Sequence, residues 1–269
     1  MIDELDEEAC ATTTSPCKKG TASKRNVDHV LLTERDLDMM TALHDHVVLS
    51  FSQIHQKFFP GRTMATAMNR LKRIESQGWI ERFRVPRLRI EGRRNATGVV
   101  FQLSLKGRII LARARPEVSV FEKCPILNPH QLDHDLLIAD ISEHFKGRFP
   151  GYRWTNGRYL MDSDGFKKIP DAVLQRTTED RAIAIELELN GKSSRRYKEI
   201  VATLRTSPRI EKVIYVTASH AIGRKIMSAI EGYQVPFGHR FRSEFFEFVR
   251  LSECLMDIAT AGIGNPSKR

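Results

Sequence analysis

Cysteine is scarce in this chain. The 269 residues hold four, Cys10, Cys17, Cys124 and Cys254, and no two of them form a C-x-x-C pair. That spacing argues against a disulfide framework or a zinc site and fits reduced thiols in a cytoplasm. Long apolar runs are missing as well, none approaching the roughly 20 residues needed to cross a bilayer. The opening stretch, MIDELDEEAC, is acidic and has neither the basic nor the apolar region of a signal peptide. The expected location is therefore cytoplasmic. Acid is short in one interval. From Arg82 to Arg115, ten basic residues stand against the single acid Glu91.

What is present fits a soluble protein of two domains or one large one. Apolar residues make up 41% of the chain, enough for real cores, and the net charge is +10. Such a balance favours a polyanionic partner; a basic solvated surface without a partner is the alternative. The clustering of the charge favours the partner.

Residues 1–26 lack periodicity and read as a disordered tail. Residues 27–115 read as three helices and a β-hairpin, the winged helix-turn-helix order. Thr33 and Asp36 form a capping-box pattern, Thr63 can cap a third helix, and Gly78 can close it. The apolar stripe Met64, Ala67, Met68, Leu71 and Ile74 leaves Thr66, Asn69, Arg70 and Arg73 on the other face, suited to a major groove. Arg93 and Arg94 fall at the hairpin tip, where a wing meets phosphate. A winged helix that binds protein instead is the competing reading. Residues 116–129, with three prolines, read as a linker, and 251–269 as a C-terminal tail. Between them, 130–250 alternates helices and strands, an α/β (α+β) pattern.

The stretch IAIELELNGKSSRRY puts two carboxylates on one face of a strand. Pairing IPDAVLQR with AIAIELEL through the polar turn TTED sets Asp171 opposite Glu186. Period two then places Glu186 and Glu188 together, with Ile183, Ile185, Leu187 and Leu189 on the other face. Like charges opposite one another destabilise a sheet, so a compensating charge is required. A hard divalent cation such as Mg²⁺ or Mn²⁺ supplies one. A half-exposed strand whose polar face meets water is the simpler alternative. Lys192 could contact a scissile phosphate or polarise a water; an ordinary surface lysine is the other reading. Arg195 and Arg196, in the turn that follows, are candidate DNA contacts.

Pro170–Asp171, then Glu186 on the next strand, then a helix, resemble the PD-(D/E)xK nuclease superfamily, with Glu188 standing where that motif carries lysine. With the winged helix included, LTERD, HDLLIADI, PDAVL and ELELNGKSSRRY resemble the mobilization-protein C class of plasmid relaxases and the related replication-relaxation family, over about residues 30–215. The resemblance implies a restriction-endonuclease-like domain after the winged helix. It implies a metal-dependent nickase acting on double-stranded DNA at a transfer origin, with an accessory mobilization protein and a coupling ATPase. In that reading Asp171, Glu186, Glu188 and Lys192 are catalytic, and Asp135 joins Asp171, Glu186 and Glu188 as a metal ligand. His134 beside it is a further candidate for ligand or phosphate contact, a packed or surface histidine being the other and favoured reading. Tyr197 is either an attacking nucleophile or a packing residue, and a metal-activated water is the expected attacker. A homodimer stays open. The competing function is a non-catalytic DNA-binding regulator or replication accessory protein on a decayed nuclease fold.

Overall fold

The helices of the first half begin where side chains can satisfy their free amides. Thr33 accepts from the Asp36 amide, and Asp36 accepts from the Thr33 amide at 2.8 Å, a capping box that starts α1 (Glu34–His46). Ser50 and Gln53 repeat the device at α2 (Phe51–Phe58), and Thr63 caps α3 (Met64–Ser76). Gly78 follows α3 with φ 71°, a left-handed turn that glycine adopts without strain. This computed structural model describes residues 30–85, 98–116, 118, 125–161, 164–231 and 243–261. The tail at 1–26 and the hairpin residues Arg93 and Arg94 lie outside them.

Strands β2 (Ile80–Arg84) and β3 (Val99–Leu103) pair antiparallel, and β1 (Leu49–Ser50) adds to the free edge of β3. The three helices cover this sheet around Met40, Leu43, Ile54, Leu71, Ile74 and Phe101, all fully buried. The arrangement is the winged-helix order read from the sequence. Helix α4 (Leu105–Ala114) closes it.

The second half is a five-stranded mixed sheet of order β4-β5-β6-β7-β8. Strands β4 (Arg153–Asn156), β5 (Ala172–Gln175) and β6 (Ala182–Glu188) are antiparallel neighbours; β7 (Ile210–Thr217) and β8 (Phe246–Arg250) run parallel to β6. The hairpin register is the expected one, with Ala172 opposite Ile185 and Val173 opposite Ala184. Every residue of β6 is buried. Ile183, Ile185 and Leu187 pack toward α5 (Leu132–Arg148) and α8 (Leu251–Ala261). Ala182 and Ala184 pack under α6 (Ser194–Arg205) and α7 (His220–Glu231). A strand with one solvated face is therefore not what the fold builds. The expected C-terminal tail also needs correction, because 251–261 is helical. Cys254 is fully buried, and Leu251 and Leu255, one turn apart, reach the same cluster as α5.

The two halves are joined by packing as well as by chain. Residues from Leu31 onward form one compact unit. Val48 and Val100 of the winged-helix half belong to the cluster around α5, and Ala139 of α5 belongs to the winged-helix cluster. Polar bonds cross the same seam. Gln53 Nε2 donates to the Leu136 carbonyl at 2.9 Å and to Asp140 Oδ1 at 2.8 Å. The Tyr159 hydroxyl donates to the His44 carbonyl and accepts from Arg108 at 3.3 Å. The linker expected at 116–129 separates the halves in sequence but not in packing. No helix among the described residues is long and apolar enough to cross a membrane.

Helix α3 presents Thr66, Asn69 and Arg73 to solvent as expected, but Arg70 is used internally. Its guanidinium donates to Asp36 Oδ1 at 3.1 Å and to the Leu31 carbonyl at 2.7 Å, tying α3 to the start of α1. Burial opposes the Asp36 charge; the bonds from Arg70 and Thr33 outweigh it and hold the carboxyl below its ordinary 3.8. Arg70→Ala should therefore cost about 3 kcal/mol in urea unfolding, because it leaves a buried carboxylate without its cation. The stability Asp36 contributes is present above its unfolded value near 3.8 and is lost as the pH falls below it through the folded value. Arg70→Ala should flatten that acid limb, and an unchanged limb would refute the assignment.

Candidate active site

Asp171 sits immediately before β5 and stitches the two central strands together at one end. Its Oδ2 accepts the Leu187 amide at 2.7 Å. Its carbonyl accepts the Gly157 amide at 2.8 Å, and a side chain at Gly157 would lie 2.0 Å from the Pro170 carbonyl, so only glycine permits that approach. Glu186 and Glu188, 3% and 2% exposed, extend from the same end of β6. Facing them across an open cleft of about 960 Å³ are Asp133, His134 and Leu137 of α5, Lys168 of the loop before β5, Lys192 and Arg196.

Each carboxylate has its own cation. Lys168 Nζ reaches Glu186 Oε1, and Lys192 Nζ reaches both oxygens of Glu188. His134 Nε2 lies 3.2 Å from Asp171 Oδ2, with Nδ1 3.9 Å from Asp135 Oδ1. Burial disfavours the imidazolium, yet the two acids push His134 up to about 10. Burial likewise opposes the Asp171 charge, and the His134 contact, Lys168 and the Leu187 amide overcome it, so Asp171 is lowered. Glu186 moves the other way. Burial, together with Asp171 and Glu188, raises it to about 7 against the pull of Lys168.

Asp171, Glu186, Glu188 and Lys192 are thus brought together as expected, with Arg196 on the rim. Arg195 is 91% exposed, and both arginines pair with Glu199. Asp135 is not among the residues lining the cleft; it is buried and turned toward Arg158, 3.8 Å away. Asp133 takes the place on the cleft wall, with a buried Oδ1 that has no hydrogen-bond partner. Tyr197 is fully buried among the α6–α7 packing, and its hydroxyl accepts the Lys192 amide at 3.1 Å. It shapes the loop that carries Lys192. Asp133 and Lys168 were not singled out from the sequence, and no motif marks either.

The donor chemistry, carboxylate oxygen, is right for a hard cation. In the free protein those oxygens are not gathered about one point. Among the described residues no group of three His, Cys, Asp or Glu side chains is disposed to hold a metal ion. Lysines occupy Glu186 and Glu188, and Asp135 points elsewhere.

A winged-helix order fused to a mixed sheet with a charged cleft defines an α+β protein. Residues 40–210 match the family described as Replication-relaxation, well over half the chain. The chain belongs to that family, and the matched segment holds every candidate acid, Lys168, Lys192 and Tyr197. Among solved structures, it is similar to a protein with a GntR superfamily winged-helix-turn-helix domain from Halomicrobium mukohataei. That likeness has 17% identity and a TM-score of 0.27, over 40% of this chain and 66% of that one, just under two thirds of the other protein's length. No curated protein matches.

The His134–Asp171 pair has a consequence in alkali. His134 contributes stability that is fully present below its unfolded value near 6.5 and lost as the pH rises through about 10. Urea midpoints should decline across that window in the wild type and decline less in His134→Ala. Parallel profiles would remove the ion pair from the account.

Proposed function

We propose that this protein binds duplex DNA through its winged-helix half and nicks one strand in the cleft, at the transfer or replication origin of a plasmid or other mobile element. The observation that carries the reading is the convergence of Asp171, Glu186, Glu188 and Lys192 in one open cleft at the ends of adjacent strands. Family membership and the winged-helix order support the DNA side of it. Thr66, Asn69 and Arg73 on α3 are the residues offered to a groove, and Arg195 and Arg196 those offered to phosphate beside the cleft. Glu186, with a pKa near 7, can accept a proton from an attacking water at neutral pH. Lys192, 42% exposed, can turn from Glu188 to a phosphate oxygen. Tyr197 is positioned for packing, so a protein–DNA bond through it is not part of this reading. Dependence on Mg²⁺ or Mn²⁺, an accessory mobilization protein and a coupling ATPase belong to the proposal by resemblance to relaxases and nucleases of the PD-(D/E)xK kind.

A second reading has its own observation. Lysines neutralise the glutamates in place, as suits a DNA-binding regulator or replication accessory protein that does not cleave.

Supercoiled DNA carrying the cognate origin, incubated with and without Mg²⁺ or Mn²⁺ and mapped for nicks, separates the two. Under the first reading Glu186→Gln loses about 10²- to 10⁴-fold in nicking rate, while Tyr197→Phe keeps most activity and leaves no denaturation-resistant adduct. A stable complex without a nick in any condition favours the second. In either case affinity should fall steeply with salt. Arg73→Ala should weaken binding by roughly tenfold, and salt-independent binding would contradict both readings.

A further inference from the structure

The loop between the Gly157–Tyr159 turn and β5 supplies a residue that no motif marks. The Lys168 side chain is 27% exposed and its ammonium meets Glu186, whose side chain is 4% exposed. Lys192 does the same for Glu188, whose side chain is 3% exposed. Two carboxylates two positions apart on a strand buried on both faces cannot stay charged without counter-charge nearby. From the sequence alone, that task falls to a divalent cation. The structure gives it to two ammonium groups.

We infer that Lys168 is a positioning residue, which with Lys192 forms the internal counter-cation of the carboxylate cleft, so that the free protein holds Glu186 and Glu188 in place without a divalent metal. This deepens the reading of the cleft as the working site and names the resting state of its charges. A cation approaching Glu186 in the absence of DNA meets an ammonium already in place. Lys168 is also the more enclosed of the two lysines, so it is the less free to leave its glutamate for solvent.

Thermal melting of the full chain without DNA, with Mg²⁺, with Mn²⁺ or with chelator, tests this independently of any nicking. Wild-type Tm should be the same in all three. Lys168→Met keeps the length and apolar stem but removes the charge; its Tm should fall by about 5–10 °C in chelator and be partly restored by Mg²⁺ or Mn²⁺. Lys168→Arg should melt close to the wild type and stay unresponsive to metal. A purely packing role would leave Lys168→Met like wild type, and that result overturns the inference. So does a wild-type Tm that rises with metal as much as that of the variant. If Lys168→Met fails to fold, Lys168→Met combined with Glu186→Gln should recover folding, because the uncompensated charge is gone; an unfolded double variant counts against the pairing.

Discussion

Strand β6 is covered on both faces, and it ends in two glutamates. Taking a carboxylate out of water without a partner is costly, and here two are taken out together beside Asp171. The surroundings are arranged around that constraint. A loop brings Lys168 over the sheet end, the turn after β6 folds Lys192 back onto Glu188, and α5 places His134 against Asp171. Removing one cation from such a set is expected to hurt more than the pair itself stabilises, since the remaining charge has nowhere to go. The cleft is better understood as a specified electrostatic arrangement than as a source of net stability.

The same logic governs the seam between the halves. Gln53 turns its amide toward the α5 backbone and Asp140, and Tyr159 bonds the end of α1. Buried polar groups of this kind fix orientation because any other docking leaves them without partners. The exposed face of α3 and the cleft are carried on one packed unit, so the spacing between them is fixed by that seam.

Much of this was legible in the sequence where local chemistry decides. The capping box at Thr33, the Ala67, Leu71 and Ile74 part of the stripe on α3, and the hairpin register that sets Asp171 opposite Glu186 follow from spacing and turn position, whereas Met64, read as part of that stripe, is exposed at the start of α3. The rest depended on tertiary facts. Residues Asp133 and Asp135 differ by about 200° around a helix, and α5 is buried on so many sides that its apolar pattern does not reveal its rotation. Lys168 pairs with Glu186 across a loop whose path no periodicity encodes. Arg70 lies on the polar face of α3 as read, but the neighbouring capping box draws it inward.

Helix α8 has a bearing on how the molecule is made. Its Leu251, Cys254 and Leu255 complete the cluster that covers one face of β6, and Leu251 and Leu255 line the cleft. Apart from Ala139, the buried residues of the winged-helix cluster lie between Leu37 and Leu111. During synthesis that core is nearly complete long before residues 251–255 emerge, whereas the cleft side must hold an unfinished apolar face in the meantime. The order of groups along the chain therefore makes the winged-helix half fold earlier than the cleft.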